Sequence, residues 1–158
     1  MRALTVRQPH ATAIIRMGKP VENRTRNIAG NYRGPVAIHA GIYEPGRVGQ
    51  RTMFDQDLEV ERDKGGLLLR SKRLAWPYRL PLGVIIGVVD LTGVHHADEG
   101  DMRGESAVGI PDGMCSPWAQ SNHWHLVFEN PRVLARPIPY KGQLGLWTLP
   151  DDVLAGAL

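Results

Sequence analysis

Apolar positions in this chain fall into short blocks, and the first block joins a helical pattern to a tight group of ions. Ala3–Val6 reads as a strand, and the segment that follows, RQPHATAIIRMGKPVENR from Arg7 to Arg24, predicts a helix and then a second strand. Pro9 sits where a first helical turn tolerates a missing N–H, and Ala11, Ile14 and Ile15 recur at helical spacing. Gly18 can end that helix in a left-handed conformation and Pro20 forbids its continuation, so Lys19 stands at the junction. In an extended segment from Pro20 onward, Glu22 and Arg24 point to one face while Val21 and Asn23 point to the other. Lys19, Glu22 and Arg24 are therefore the first candidate catalytic set, able to meet in one pocket.

Further on, YRGPVAIHA from Tyr32 to Ala40 predicts a turn feeding a strand in which Val36, Ile38 and Ala40 share a face and His39 points away. Between Glu44 and Lys64 the chain is polar and mixed in sign, with Phe54 and Leu58 four apart, which predicts an exposed helical excursion ended by Gly65 and Gly66. Leu67–Leu69 and Leu74–Leu80, with Arg70, Lys72 and Arg73 beside Trp76 and Tyr78, read as a mobile basic and aromatic flap. LGVIIGVVDLTGV, from Leu82 to Val94, predicts a central strand buried on both faces, with Gly83, Gly87 and Gly93 at bends or bulges. His95–Asp112 reads as an acidic loop or frayed helix, Trp124–Phe128 as a strand ended by the turn signal Asn130-Pro131, and Gly145–Leu149 as the last core strand. The expectation is a mainly β (α+β) fold: one domain over residues 1–158, with a variable excursion at about 44–80.

Composition supports turns and strands over long helices, with 18 glycines and 12 prolines in 158 residues. No stretch is long and apolar enough to cross a bilayer and the N-terminus lacks a signal pattern, so a soluble cytoplasmic protein without a membrane partner is expected. Cys115 is the only cysteine. That excludes an intramolecular disulfide and a cage built of cysteines, fits a reducing compartment, and reads as a small buried hydrophobe. The formal charge of +3 hides an asymmetry: up to Tyr43 seven basic residues face Glu22 alone, and the remainder of the chain is net acidic. A basic surface concentrated early in the chain attracts polyanions, although a solvated surface balanced by acidic loops gives the same count.

The candidate cluster admits three chemistries. A carboxylate beside Lys19 favours its ammonium form, so Lys19 and Glu22 suit a charged pair that orients a polar base edge. Alternatively Glu22 activates a water against an amide carbonyl while Lys19 holds the developing oxyanion. The third reading is an ion-pair network that ties helix to strand. Arg7, Gln8 and His10 at the helix start suit a phosphate or carboxylate, unless Gln8 caps the helix and Arg7 pairs with a loop carboxylate; Arg26 extends the same basic face. Ser116 lacks the pattern of an activated nucleophile and reads as a turn residue or a ligand contact. Trp118 or Trp76 is the candidate exposed aromatic for stacking on an unpaired base, with Trp124 or Trp147 filling the core. His123 and His125 share a strand face, but spacing places no third ligand, so neither a metal nor a cofactor is expected.

RQPHATAIIRMGKPVENR resembles the opening signature of the ASCH family, a branch of the PUA-like barrels. YRGPVAIHAG, LGVIIGVVDL and CSPWAQSNHWHLVFENPRVLARPIPYKGQLGLW are similar to later blocks of that family in the same order. The resemblance implies a small PUA-like β-barrel with flanking helices and a cleft between barrel and N-terminal helix. It further implies binding of RNA, of single-stranded nucleic acid or of a modified nucleoside in that basic cleft. Some family members are amidohydrolases acting on N4-acetylcytidine and others ribonucleases, so the resemblance leaves an enzyme open beside a binding module. Set against the Gly-x-Lys-Thr-x-Thr-x-Arg motif of the amidohydrolases, Lys19 and Arg24 are retained and Glu22 replaces the threonine nucleophile. Glu105 lies in the region of the family's distant glutamate.

Overall fold

Strand pairing starts with the first residues of the chain. In a computed structural model, which describes residues 1–41, 59–64, 66–70, 78–97 and 114–157, β1 (Arg2–Arg7) runs parallel to β3 (Gly34–Gly41), with Leu4 opposite Ile38. Between them the chain forms α1 (His10–Arg16) and β2 (Val21–Arg24). The long strands β7 (Val84–His96) and β8 (Trp124–Pro139), with β9 (Leu146–Thr148), complete a curled six-stranded sheet in the order β2-β8-β7-β3-β1-β9. A mainly β fold with few helices is the outcome the apolar pattern predicts.

Alternation along each strand divides the core between the two faces of this sheet. On one face Ala11, Ile14 and Ile15 of α1 pack onto Leu4, Val6, Val36, Ile38, Val89 and Leu126. The other face carries Ala3, Ala37, Ile85, Val88 and Trp147, covered by Leu149 and by Leu154 of a short 3-10 turn at Asp151–Leu154. Gly87 sits at a register shift in β7, where a Cβ would stand 2.6 Å from the Arg132 carbonyl oxygen and 2.7 Å from Ile15 Cδ1. Its missing side chain lets α1 close onto the sheet.

Four sequence expectations are corrected. Glu59–Asp63, expected as part of a helical excursion, is strand β4, paired with β5 (Gly66–Arg70) and then β6 (Tyr78–Arg79) in a separate three-stranded sheet. Val60 alternates with Glu59 and Glu61, which is a period of two rather than of a helix turn. The flap expectation fails for the described part of that region: Leu67, Leu69 and Leu80 are buried together and packed by Met17, Val60, Tyr78 and Leu82. Phe54, Leu58, Lys72, Arg73 and Trp76 lie outside the described residues.

The third correction concerns Asn130-Pro131, which does not end a strand. β8 continues through it, Asn130 takes a positive φ of 49°, and Asp90 of β7 accepts hydrogen bonds from Asn130 Nδ2 at 3.0 Å and Arg132 Nη2 at 2.6 Å. The turn signal is absorbed as a bulge clamped by one carboxylate. β7 likewise extends through His95 and His96, two residues expected in the acidic loop. Among the described residues no helix is long and apolar enough to cross a membrane.

Gly87→Ala should cost about 1–3 kcal/mol in urea unfolding, because backbone and Ile15 must both shift to admit one methyl. Gly93→Ala is the control: its Cβ would approach Val127 no closer than 3.4 Å. Equal losses in the two variants would contradict the close-packing account.

Candidate functional site

The end of α1 delivers a lysine into the protein interior. Gly18, at φ +68°, turns the chain back so that the Lys19 backbone N–H reaches the Ala13 carbonyl at 3.1 Å. Lys19 is 2% exposed, and its ammonium donates to the Val21 carbonyl and to Glu22 Oε2, the latter at 3.4 Å. The same ammonium lies 5.9 Å from the centre of the Trp118 ring, within range of a cation–π attraction. A buried amine in this setting has carbonyl, carboxylate and ring to replace water.

Glu22 connects that amine to the strand. Its Oε1 lies 3.1 Å from Arg24 Nη2, on the face of β2 that alternation assigns to both residues. Arg24 Nη2 also donates to the Thr5 carbonyl at 2.8 Å. β2 is the edge of the sheet and β1 lies four strands away in its order, so this bond spans the concavity of the curl. Burial by itself would raise the Glu22 carboxyl; Lys19, then Arg24 and His10, overcome it and hold the group below the ordinary carboxylate range. The result is a fixed anion held between two cations, of which Arg24 is the more accessible.

The remaining sequence candidates divide. Arg7 and Arg26 are exposed at the ends of β1 and just beyond β2. Gln8 is buried and engaged by backbone: its Oε1 accepts from the Thr12 N–H at 3.1 Å and its Nε2 donates to the Pro81 carbonyl at 2.9 Å, so it serves the first turn of α1 from the residue before the N-cap, Pro9. Ser116 is also buried, its Oγ accepting from the Trp118 N–H at 3.1 Å in a local turn. Trp118 is 1% exposed, so it is corrected from a surface stacking platform to a core residue beneath the Lys19 ammonium. Trp147 fills the core as expected.

Asn23 is the residue whose part sequence reasoning missed. It was placed on the face opposite Glu22, and there its Nδ2 donates to the Trp118 carbonyl at 2.9 Å while its Oδ1 accepts from the Gln120 N–H at 3.0 Å. Both bonds are to backbone, and only the spacing of an amide opposite an ion pair hints at them. His123 and His125 do not act as a pair. β8 begins at Trp124; His123 Nδ1 lies 2.8 Å from the Ser121 carbonyl, while His125 pairs in register with His95 of β7.

A cavity of about 90 Å³ adjoins the lysine, lined by Ile14, Gly18, Lys19, Pro20, Val89, Phe128 and Pro131. It is apolar and well below the roughly 300–1,000 Å³ of sites that enclose whole ligands. The chemistry of the site therefore resides in the ion cluster and its Arg24 side. No protein-family model matches the chain, and no curated protein matches it significantly.

A double-mutant cycle measures the cluster. Lys19→Met and Glu22→Gln should each destabilise by about 3–5 kcal/mol in denaturant unfolding, since the first leaves Glu22 with Arg24 alone and the second leaves buried Lys19 without its carboxylate. The double variant should lose about 1–3 kcal/mol less than the sum. Strict additivity would mean that amine and carboxylate do not interact.

Proposed function

We propose that the chain is an ASCH-like module of the PUA-like class that binds single-stranded RNA, or a modified nucleotide within it, beside the end of α1. The observation that carries this reading is the ionised Glu22 clasped by Lys19 and Arg24. A fixed carboxylate of this kind accepts from an exocyclic base amine, as Asp and Glu accept from cytosine N4. Arg7, Arg16 and Arg26, exposed and flanking α1 and β2 in sequence, suit phosphates. The order of blocks that resembles the ASCH family supports the same reading.

Hydrolysis is the weaker alternative on physical grounds. A general base works best with a pKa near the operating pH, and Glu22 is displaced in the opposite direction. Its basicity is spent on two cations, which suits holding a donor more than taking a proton from water.

Fluorescence anisotropy with a labelled, cytidine-containing single-stranded RNA tests the proposal. Affinity should fall log-linearly with salt, by about 0.7 per phosphate contacted, and Arg26→Ala should make that slope shallower by about 0.7. Glu22→Gln should weaken binding without changing the slope. Absent or salt-independent binding would overturn the proposal. Turnover of N4-acetylcytidine to cytidine above a Lys19→Ala control, followed by chromatography, would replace it with the amidohydrolase.

A further inference from the structure

The β7–β8 ladder brings together three metal-ligating side chains that lie apart in sequence. His95 pairs with His125 across the ladder, and Cys115 approaches from the segment before β8. His125 Nδ1 lies 3.2 Å from His95 Nε2 and 3.3 Å from Cys115 Sγ, and the three donor atoms all fall within 4.8 Å of one another. A tetrahedral zinc with bonds of about 2.0–2.1 Å to nitrogen and about 2.3 Å to sulfur has edges of roughly 3.3–3.6 Å, close to the two shorter separations.

Orientation supports the same conclusion. His125 is fully buried, and its Nε2 lies 2.8 Å from the Gln120 carbonyl, which can only accept. The ring proton therefore sits on Nε2, and the Nδ1 lone pair faces His95 and Cys115. A histidine whose far nitrogen is fixed by a backbone carbonyl is the usual arrangement around a protein-bound metal. One lone pair is aimed at two neighbouring donor groups at similar distance. A cation between the three would be shared by all of them, whereas a single proton serves one contact.

We propose that His95 Nε2, Cys115 Sγ and His125 Nδ1 form a three-ligand site for a divalent transition metal, zinc by the softness of its donor set. Binding transfers the Cys115 thiol proton to solvent and forms a sulfur–metal bond, leaving the fourth tetrahedral position to water. Three protein ligands with one open position is the pattern of reactive rather than closed structural zinc sites. The site is independent of the RNA-binding reading. It uses none of Lys19, Glu22 and Arg24, although Asn23 and Gln120 join the two regions through one hydrogen bond.

Cobalt(II) titration of the reduced, chelator-stripped full chain tests the proposal. Saturation at one equivalent is expected, with a sulfur-to-cobalt charge-transfer band and the intense visible bands of tetrahedral cobalt, both erased by added zinc. Cys115→Ser should lose the charge-transfer band, and His95→Ala should weaken zinc by roughly 10–100-fold or more against a chromophoric chelator. His123→Ala should change neither, and matching circular dichroism spectra should establish that all three variants fold. Failure to saturate at one equivalent, or cobalt spectra and zinc affinities unaltered in Cys115→Ser and His95→Ala, would overturn the site.

Discussion

A lysine side chain almost closed off from water needs a partner at its tip, and at the end of α1 Glu22 is that partner. Much of the local architecture follows from that requirement. Gly18 reverses the helix so that Lys19 points inward, Pro20 starts an extended segment, and the alternation of β2 sets Glu22 and Arg24 on the face the amine can reach. Two apolar side chains of equal volume would join helix to strand at least as well, because desolvating ions offsets their attraction. Stability alone therefore does not account for the charges.

The cluster also depends on the curl of the sheet. Arg24 reaches the Thr5 carbonyl across the concave side, and this requires the bends that β7 makes at its register shifts, where Gly87 admits Ile15 of the helix. On the reverse face of β2, Asn23 fixes the backbone at Trp118 and Gln120. Trp118 then supports the ammonium, and the Gln120 carbonyl orients His125. Backbone hydrogen bonds thus hold two chemically distinct groups of side chains in one frame, and neither group is positioned by a loop alone.

Local patterns made the first part of this legible in sequence. Pro9, Gly18 and Pro20 punctuate the helix, and a period of two places Glu22 with Arg24, so the cluster could be read from six consecutive residues. The central strand and its glycine bends were equally visible, because a glycine inside a β-branched run has few other uses. What depended on partners distant in the chain was not legible. Nothing near Trp118 says that it lies under a buried amine, and nothing near His125 names His95, since only strand register unites them. Asn130-Pro131 misled because a turn signal and a bulge share the same residues, and Asp90, forty positions away, decides between them. The Val60 alternation is hidden because charged neighbours on both sides resemble a solvated helix face.

The central claim is electrostatic: Glu22 stays ionised although buried, because Lys19 and Arg24 outweigh its desolvation. A carboxyl held below its unfolded value of about 4.3 adds stability that is complete above that pH and is lost as pH falls through the lower, folded value. The most direct measurement is a carbon-13 NMR titration of the Glu22 side-chain carboxyl in the folded protein, repeated in Lys19→Met. The account predicts a midpoint below the ordinary glutamate value, rising when the amine is removed. A midpoint at or above that value in the native chain, or one indifferent to Lys19, would contradict it.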